Sequence, residues 1–292
     1  MNYTISDGVI AVSVSDRGAE LQSIRRLDDG TEYLWQGDPT YWTGRAYNLF
    51  PVCGRVFGDH YTYDGKTYAM NRHGFARNMT WSVETQTDTS VTFVLTESDE
   101  SMAVYPFAFR LAMTFTVSGG ELTVTTDVTD TDEKPLIFSF GGHPGFNVPL
   151  GGEGSFEDYE VVFDAPCEPQ RICTSETVYY LGCSKPFPLE NGQILHLSHD
   201  MFNDDAIFLH ETARGLTLRS AKARHSLHVS FPDAPYIGFW HKPFSDAPYL
   251  CIEPWQGIPS SEGKMDELTA KLATVTVQPG DVYTHTWVFT AR

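Results

Sequence analysis

The stretch FRLAMTFTVSGGELTVTTDV, residues 109–128, decides the fold class. Phe109, Leu111, Met113, Phe115 and Val117 fall on one face of an extended chain, with Arg110, Ala112, Thr114 and Thr116 on the other. That is the two-residue period of a half-buried strand. Gly119-Gly120 supplies a residue pair able to take positive φ, after which Leu122, Val124 and Val128 resume the alternation against Thr and Asp. The segment therefore reads as a β-hairpin.

Outward from it the same pattern recurs. YTYDGKTY, residues 61–68, places Asp64-Gly65 where a type I′ turn would join two Tyr- and Thr-rich arms. Further strands are predicted at 9–14, 19–25, 80–86, 90–96, 136–140, 159–163, 206–210, 216–220, 226–231, 236–240, 249–252, 274–277 and 282–290. Only GKMDELTAKL, residues 263–272, has helix-forming composition, and at that length it needs packing support. The β-α-β alternation of a nucleotide-binding sheet is missing, as are the G-x-G-x-x-G, P-loop and G-x-S-x-G patterns. No linker or fixed-period repeat divides the chain, so residues 1–292 are read as one all-β domain. So many strands in one domain call for two large, mainly antiparallel sheets packed together, because a single open sheet of that size would curl or split.

Composition narrows the partners. Twenty Lys+Arg stand against 38 Asp+Glu, a formal charge of −18, which repels phosphate backbones and anionic lipid heads. Neither nucleic acid nor membrane is an expected partner. No run approaches the roughly 18 apolar residues of a spanning helix, and MNYTISDGVIAVSV lacks a basic leader, so a cytoplasmic protein is expected. The five cysteines, Cys53, Cys167, Cys173, Cys183 and Cys251, show no metal-ligand spacing and fit free thiols in a reducing compartment. The sequons at Asn2 and Asn78 would matter only in a secreted chain.

Five segments break the alternation with Gly, Pro, His and Arg in a way no core strand requires. They are NLFPVCGRV with Arg55, NRHGFARN with His73 and Arg77, FSFGGHPGFNVP with His143, FNDDAIFLH with Asp204 and Asp205, and YLCIEPWQGIP with Glu253. His143 follows the apolar run 136–140 between a Gly pair and a proline, which would aim its side chain rigidly outward. Each residue also has a plainer reading. Glu253 can be a strand-end carboxylate paired with lysine, His143 a turn residue donating to a carbonyl, and Arg55 a solvated strand-end arginine. Asp204 and Asp205 can be ordinary turn residues, and Trp240 and Trp255 ordinary core. The pairs His196/His199 and His225/His228 have H-x-x-H spacing, but a three-residue offset in a strand sends side chains to opposite faces. No metal is expected. Cys53 and Cys251 sit in apolar strand context that favours inert thiols.

Taken together the five segments resemble the aldose 1-epimerase (mutarotase) family, in particular its LacX-like branch, along the whole chain. The resemblance implies a galactose mutarotase-like β-supersandwich and a cofactor-independent isomerase acting on a free aldohexose, as a monomer or homodimer. It puts the general acid on His143, in GGHPGFNVP, and the general base on Glu253, in CIEPWQG. RHGF makes His73 a substrate-binding histidine at the ring oxygen, FPVCGRV makes Arg55 a donor to sugar hydroxyls, and GFWHKP makes Trp240 an apolar wall. The aspartate of FNDDAIF falls on Asp205, with Asp204 one residue away. HGFARNMTW also resembles the hexose-6-phosphate mutarotase branch, which would give Arg45 and Arg77 a phosphate to hold. Interconverting anomers needs one base at the C1 hydroxyl and one acid at the ring oxygen, with no redox group. A carbohydrate-binding β-sandwich without turnover is the rival class, since it needs no matched acid and base. Glycoside hydrolysis would need a pair of carboxyls instead.

Overall fold

The computed structural model describes residues Met1–Arg292. The hairpin of residues 109–128 lies inside the larger sheet: Phe109–Ser118 and Glu121–Asp130 pair antiparallel from Ser118 opposite Glu121, around Gly119 at φ 62° and Gly120 at φ 85°. That nine-stranded sheet runs Ile194–His196, Glu160–Phe163, Gly215–Arg219, Leu227–Ser230, Val282–Ala291, Glu121–Asp130, Phe109–Ser118, Ser90–Thr96, Ser82–Gln86. A seven-stranded sheet runs Tyr180–Pro186, Gln170–Thr174, Ile207–His210, Tyr236–Trp240, Tyr249–Gln256, Phe140–Asn147, Ala46–Leu49. Every pairing in both is antiparallel. Asn2–Ser6, Ile10–Ser15 and Leu21–Arg26 form a three-stranded sheet, and the Asp64-Gly65 hairpin pairs His60–Tyr63 with Lys66–Ala69.

The two large sheets meet through a cluster of 60 buried apolar residues. Phe146 stacks on Phe289 at 5.7 Å and Phe163 meets Phe239 edge-on at 6.3 Å, one ring of each pair from each sheet. Alternation then fixes what the other face of the smaller sheet carries. On Tyr249–Gln256, Leu250 and Ile252 enter the shared core, so Cys251, Glu253 and Trp255 point away from it; on Phe140–Asn147, Phe140 and Phe146 go inward and His143 outward. Both strands are buried on both faces, which is why their apolar runs look continuous rather than alternating.

Three expectations change. Residues 263–272 are not a helix beyond the 3-10 turn Leu268–Ala270, because the Asp266 carbonyl accepts the Thr62 N–H at 2.8 Å and Glu267 bridges to Thr62 in extended conformation. The Lys271 ammonium donates to the Ile258 carbonyl at 2.8 Å and the Asp266 carboxylate accepts from Ser260. The one α-helix is Asp99–Val104, opened by a capping box between Ser98 and Ser101. GGHPG is not a turn after a strand: it lies within Phe140–Asn147, and His143 is 9% exposed.

Candidate active site

Register aligns the site. Gly141 pairs with Trp255 and Gly145 with Cys251, which sets His143 opposite Glu253 on neighbouring strands. His143 also pairs with Tyr47, Glu253 with Gly238, and Gly238 with Phe208, so one row crosses five strands as Tyr47, His143, Glu253, Gly238, Phe208. The glycines of these rows make room for rings. A Cβ on Gly141 would lie 2.6 Å from Trp255 Cδ1, and one on Gly145 would lie 3.1 Å from Trp42 Cζ3. A side chain at Gly141 would force the Trp255 ring to move, and one at Gly145 would press on Trp42.

At the centre His143 Nε2 lies 3.4 Å from Glu253 Oε1. Glu253 is 1% exposed, and burial drives its carboxyl well above the usual carboxylate range, the nearby Asp205 charge adding to the effect. Burial also lowers His143 to about 3, helped by the Arg77 and Arg72 charges. Each group taken alone prefers to be neutral, a protonated carboxyl beside a neutral imidazole, and passing the carboxyl proton to the ring gives a carboxylate–imidazolium pair of the same net charge. The His143 Nδ1 atom is buried without a partner.

A cavity of about 210 Å³ opens over this pair, lined among others by Arg55, His73, Arg77, His143, Asp205, Trp240 and Glu253, all of which the sequence singled out. His73, at φ 67°, is oriented from both sides: its N–H donates to the Gly54 carbonyl at 2.8 Å, and Gly54 N–H donates to its Nδ1 at 3.1 Å. Nδ1 is thus an acceptor, which leaves the ring proton on Nε2, and burial holds the ring neutral well below the usual histidine value. Asp205, also at positive φ, accepts the Ala206 N–H at 2.8 Å through Oδ1. Asp204 instead faces an adjoining cavity of about 680 Å³ that shares Asp205 as a wall. Arg45 lies outside both; its guanidinium donates to the Gln22 carbonyl at 2.6 Å and to Gln36 at 3.1 Å.

Arg72, Trp42, Tyr47 and Val178 also line the cavity, and no sequence signal above singles them out. Arg72 stands next to His73 in NRHGF and could have been found from that adjacency. Trp42, 5.0 Å from His143 and 5.6 Å from Trp240 between ring centroids, comes from a loop with no periodic signal. Arg77 lies 4.9 Å over the Tyr47 ring and donates to the Arg72 carbonyl at 3.0 Å. Neither H-x-x-H pair converges: His196 meets Glu190, His199 meets His241, His225 meets Asp29 and His228 meets Asp164. The ligand atoms of His143, Cys251 and Glu253 do lie within 4.8 Å of one another. A metal there would have to displace the proton of a thiol whose pKa burial has raised well above its ordinary value.

The chain matches the family model for aldose 1-epimerase over residues 1–290. It is 33% identical over 290 residues to the plasmid-borne Protein LacX of Lactococcus lactis subsp. lactis, covering 96% of both chains. A chain from Cenchrus ciliaris, provisionally described as a glucose-6-phosphate 1-epimerase, is 30% identical over 230 residues, covering 70% of this chain and 62% of that one. Among solved structures, a galactose mutarotase related enzyme from Lactobacillus acidophilus superposes with a TM-score of 0.95 at 33% identity, covering 100% of this chain and 97% of that one. A galactose mutarotase-like protein from Lactobacillus casei gives 0.94 at 32% identity, over the full length of both. No helix is long and apolar enough to cross a membrane. The fold is the galactose mutarotase-like arrangement of large antiparallel sheets, and the chain belongs to the aldose 1-epimerase family.

Proposed function

We propose that the protein interconverts the α and β anomers of an aldohexose by acid-base ring opening and reclosure at His143 and Glu253. The observation that carries this reading is the 3.4 Å contact between the two groups on the floor of a cavity of about 210 Å³. The two sugar atoms that must exchange protons, the C1 hydroxyl and the ring oxygen, share one carbon. An acid and a base serving both atoms must therefore be neighbours, as these are.

Glu253 takes the C1 hydroxyl proton while the pair's stored proton passes from His143 to the ring oxygen. The C1–O5 bond breaks, the aldehyde turns about C1–C2, and closure on its other face runs the same transfers in reverse. His73 offers an Nε2–H donor that burial keeps from competing as an acid, suited to holding the ring oxygen. Arg55 and Asp205 address hydroxyls through charge-assisted hydrogen bonds, and Trp240 covers an apolar ring face. Optical rotation of freshly dissolved α-D-glucose and α-D-galactose, in low buffer, tests the reading. Wild type should accelerate equilibration, and His143→Ala and Glu253→Gln should each lose about 10² to 10⁴ of the rate. Unchanged rates in both variants would remove the assignment.

A second reading, an anionic aldose such as a hexose phosphate, is favoured by a specific feature. Arg55, Arg72 and Arg77 line the same cavity, and none pairs with a carboxylate. The Nε atoms of Arg55 and Arg77 are buried without partners. Burial lowers the Arg72 and Arg77 pKa values, and for Arg72 the Arg55 and Arg77 charges lower it further, a strain an anion would relieve. The description of the Cenchrus ciliaris relative points the same way. In the same assay, a higher kcat/KM for glucose 6-phosphate than for glucose, lost on Arg72→Ala, would favour it.

A further inference from the structure

Two cysteines outside the catalytic row face each other at the rim of the site. Strands Gln170–Thr174 and Tyr180–Pro186 form the outer hairpin of the seven-stranded sheet, and Cys173 and Cys183 each follow or precede the registered pair Ile172 and Ser184 by one residue, at the irregularity before Thr174 pairs with Tyr180. Cys183 is exposed, Cys173 is half-buried and lines the larger cavity, and the two thiols are close enough for one to perturb the other. The registered pair beside them, Ile172 and Ser184, is of the kind whose Cα atoms lie about 4.5 to 5.5 Å apart, inside the range a disulfide spans, so one residue further along the two cysteines need little backbone movement to meet. Cys53 and Cys251, in contrast, are fully buried, and burial raises both thiol pKa values.

The hairpin matters because of what its turn carries. Residues 175–179 close on themselves through Val178 N–H to the Ser175 carbonyl at 2.9 Å and Ser175 N–H to the Tyr179 carbonyl at 2.9 Å. Val178 is held at φ 65°, an outlier for a β-branched residue, and lines the catalytic cavity. Below it, Tyr180 N–H donates to the Ser260 carbonyl, and Ser260 N–H donates to the carbonyl of Arg55. The thiol pair thus sits just below the turn of a hairpin whose tip walls the sugar cavity and whose second strand leads through Ser260 to Arg55.

We propose that Cys173 and Cys183 are a modification site: they close reversibly to a cross-strand disulfide by exchange with a small-molecule disulfide such as oxidised glutathione, fixing the Val178 hairpin over the cavity. One cysteine thiolate attacks a sulfur of the small disulfide, breaking its S–S bond, forming a mixed disulfide and releasing one thiol. The other thiolate then attacks the protein sulfur of the mixed disulfide and releases the second thiol. Two electrons pass from the cysteine sulfurs to the small disulfide, and the two cysteine protons end on the released thiols. An exposed cross-strand disulfide is the labile kind, so excess dithiothreitol reverses it.

The closure itself is independent of the proposed reaction; only its consequence for activity rests on it. Full-length protein is equilibrated with oxidised glutathione and read by intact mass, peptide mapping and thiol titration. The expected product has lost two hydrogens, carries a Cys173–Cys183 linkage and no retained glutathione, and titrates two fewer accessible thiols. Retained glutathione on Cys183 with Cys173 still free, or no change in either thiol, would overturn the site. Cys183→Ser should keep the reduced protein's activity and lose the closure. Slower backbone exchange across 170–186 in the oxidised protein, with kcat/KM for anomer equilibration shifted by about threefold or more and restored by dithiothreitol, is the expected consequence. Closure by mass without slower exchange would overturn the hairpin-fixing role, and no activity in the reduced protein either would count against the proposed reaction, not the thiol pair.

Discussion

A carboxyl and an imidazole that are each disfavoured when charged are suited to the proposed reaction, because one proton can pass between them. Burial raises Glu253 well above the usual carboxylate range and lowers His143 to about 3, so the singly protonated pair persists across a wider pH span than a solvated Glu and His would give. Activity should fall on the acid side as a second proton reaches His143 and on the alkaline side as the pair loses its only proton. The expected kcat/KM profile is bell-shaped, its alkaline limb displaced above that of an ordinary carboxylate. A pH series of polarimetric rates checks it; in Glu253→Gln, which has no carboxyl to ionise, the alkaline limb should vanish along with most of the rate. A flat profile accompanied by full activity in that variant would sink the acid-base role. Short motifs made His143 and Glu253 legible in the sequence, but their burial and mutual distance were not, because both are set by a strand register that no single segment carries.

At the scale of strands, what sequence reveals depends on how many faces are buried. Phe109–Ser118 is readable because its outer face is polar, while Phe140–Asn147 reads as a break in the alternation because Gly and Pro usually punctuate chains. There the glycines answer to rings from other segments, and those neighbours are invisible locally. The edge strand Tyr180–Pro186 was missed for the opposite reason: nearly all of it is exposed, so no apolar period marks it. The short helix Asp99–Val104 is set by its capping box rather than by an amphipathic stripe. A methyl group on Gly141 meets Trp255 Cδ1 at 2.6 Å, so Trp255, which donates from Nε1 to the Gly142 carbonyl at 3.1 Å, must move. Gly141→Ala should lower unfolding free energy by about 1 to 3 kcal/mol, the usual range for overpacking, and raise KM because Trp255 lines the cavity. Urea titration with steady-state kinetics measures both; wild-type stability with wild-type KM would show that the ring can give way freely.

For the whole molecule the decisive plane is the one between the two large sheets, and it contains a polar flaw. His285 occupies a core position on Val282–Ala291, 5.3 Å from Phe140 of the opposing sheet, with both ring nitrogens buried and unpartnered. Its cross-strand neighbour Thr126 is also buried with a free hydroxyl. Burial lowers His285 to about 4, against an ordinary value of 6.5. Its folded pKa is the depressed one, so in the window between those values the unfolded chain binds a proton that the folded chain refuses. Stability is therefore intact above 6.5 and falls with pH through the window, by about 1.4 kcal/mol per pH unit for this one residue. His241, lowered to about 4 chiefly by burial, adds to the loss with the same sign. His285→Leu fills similar volume without the proton. Urea unfolding should show it about 1 kcal/mol more stable than wild type at pH 7, since an unpartnered polar group is removed. Between pH 7 and 5 it should lose about 2 kcal/mol less stability than wild type. An identical acid slope in the two proteins would mean that the His285 ring is not held neutral in the folded state, and the destabilised plane would have to be sought at His241 instead.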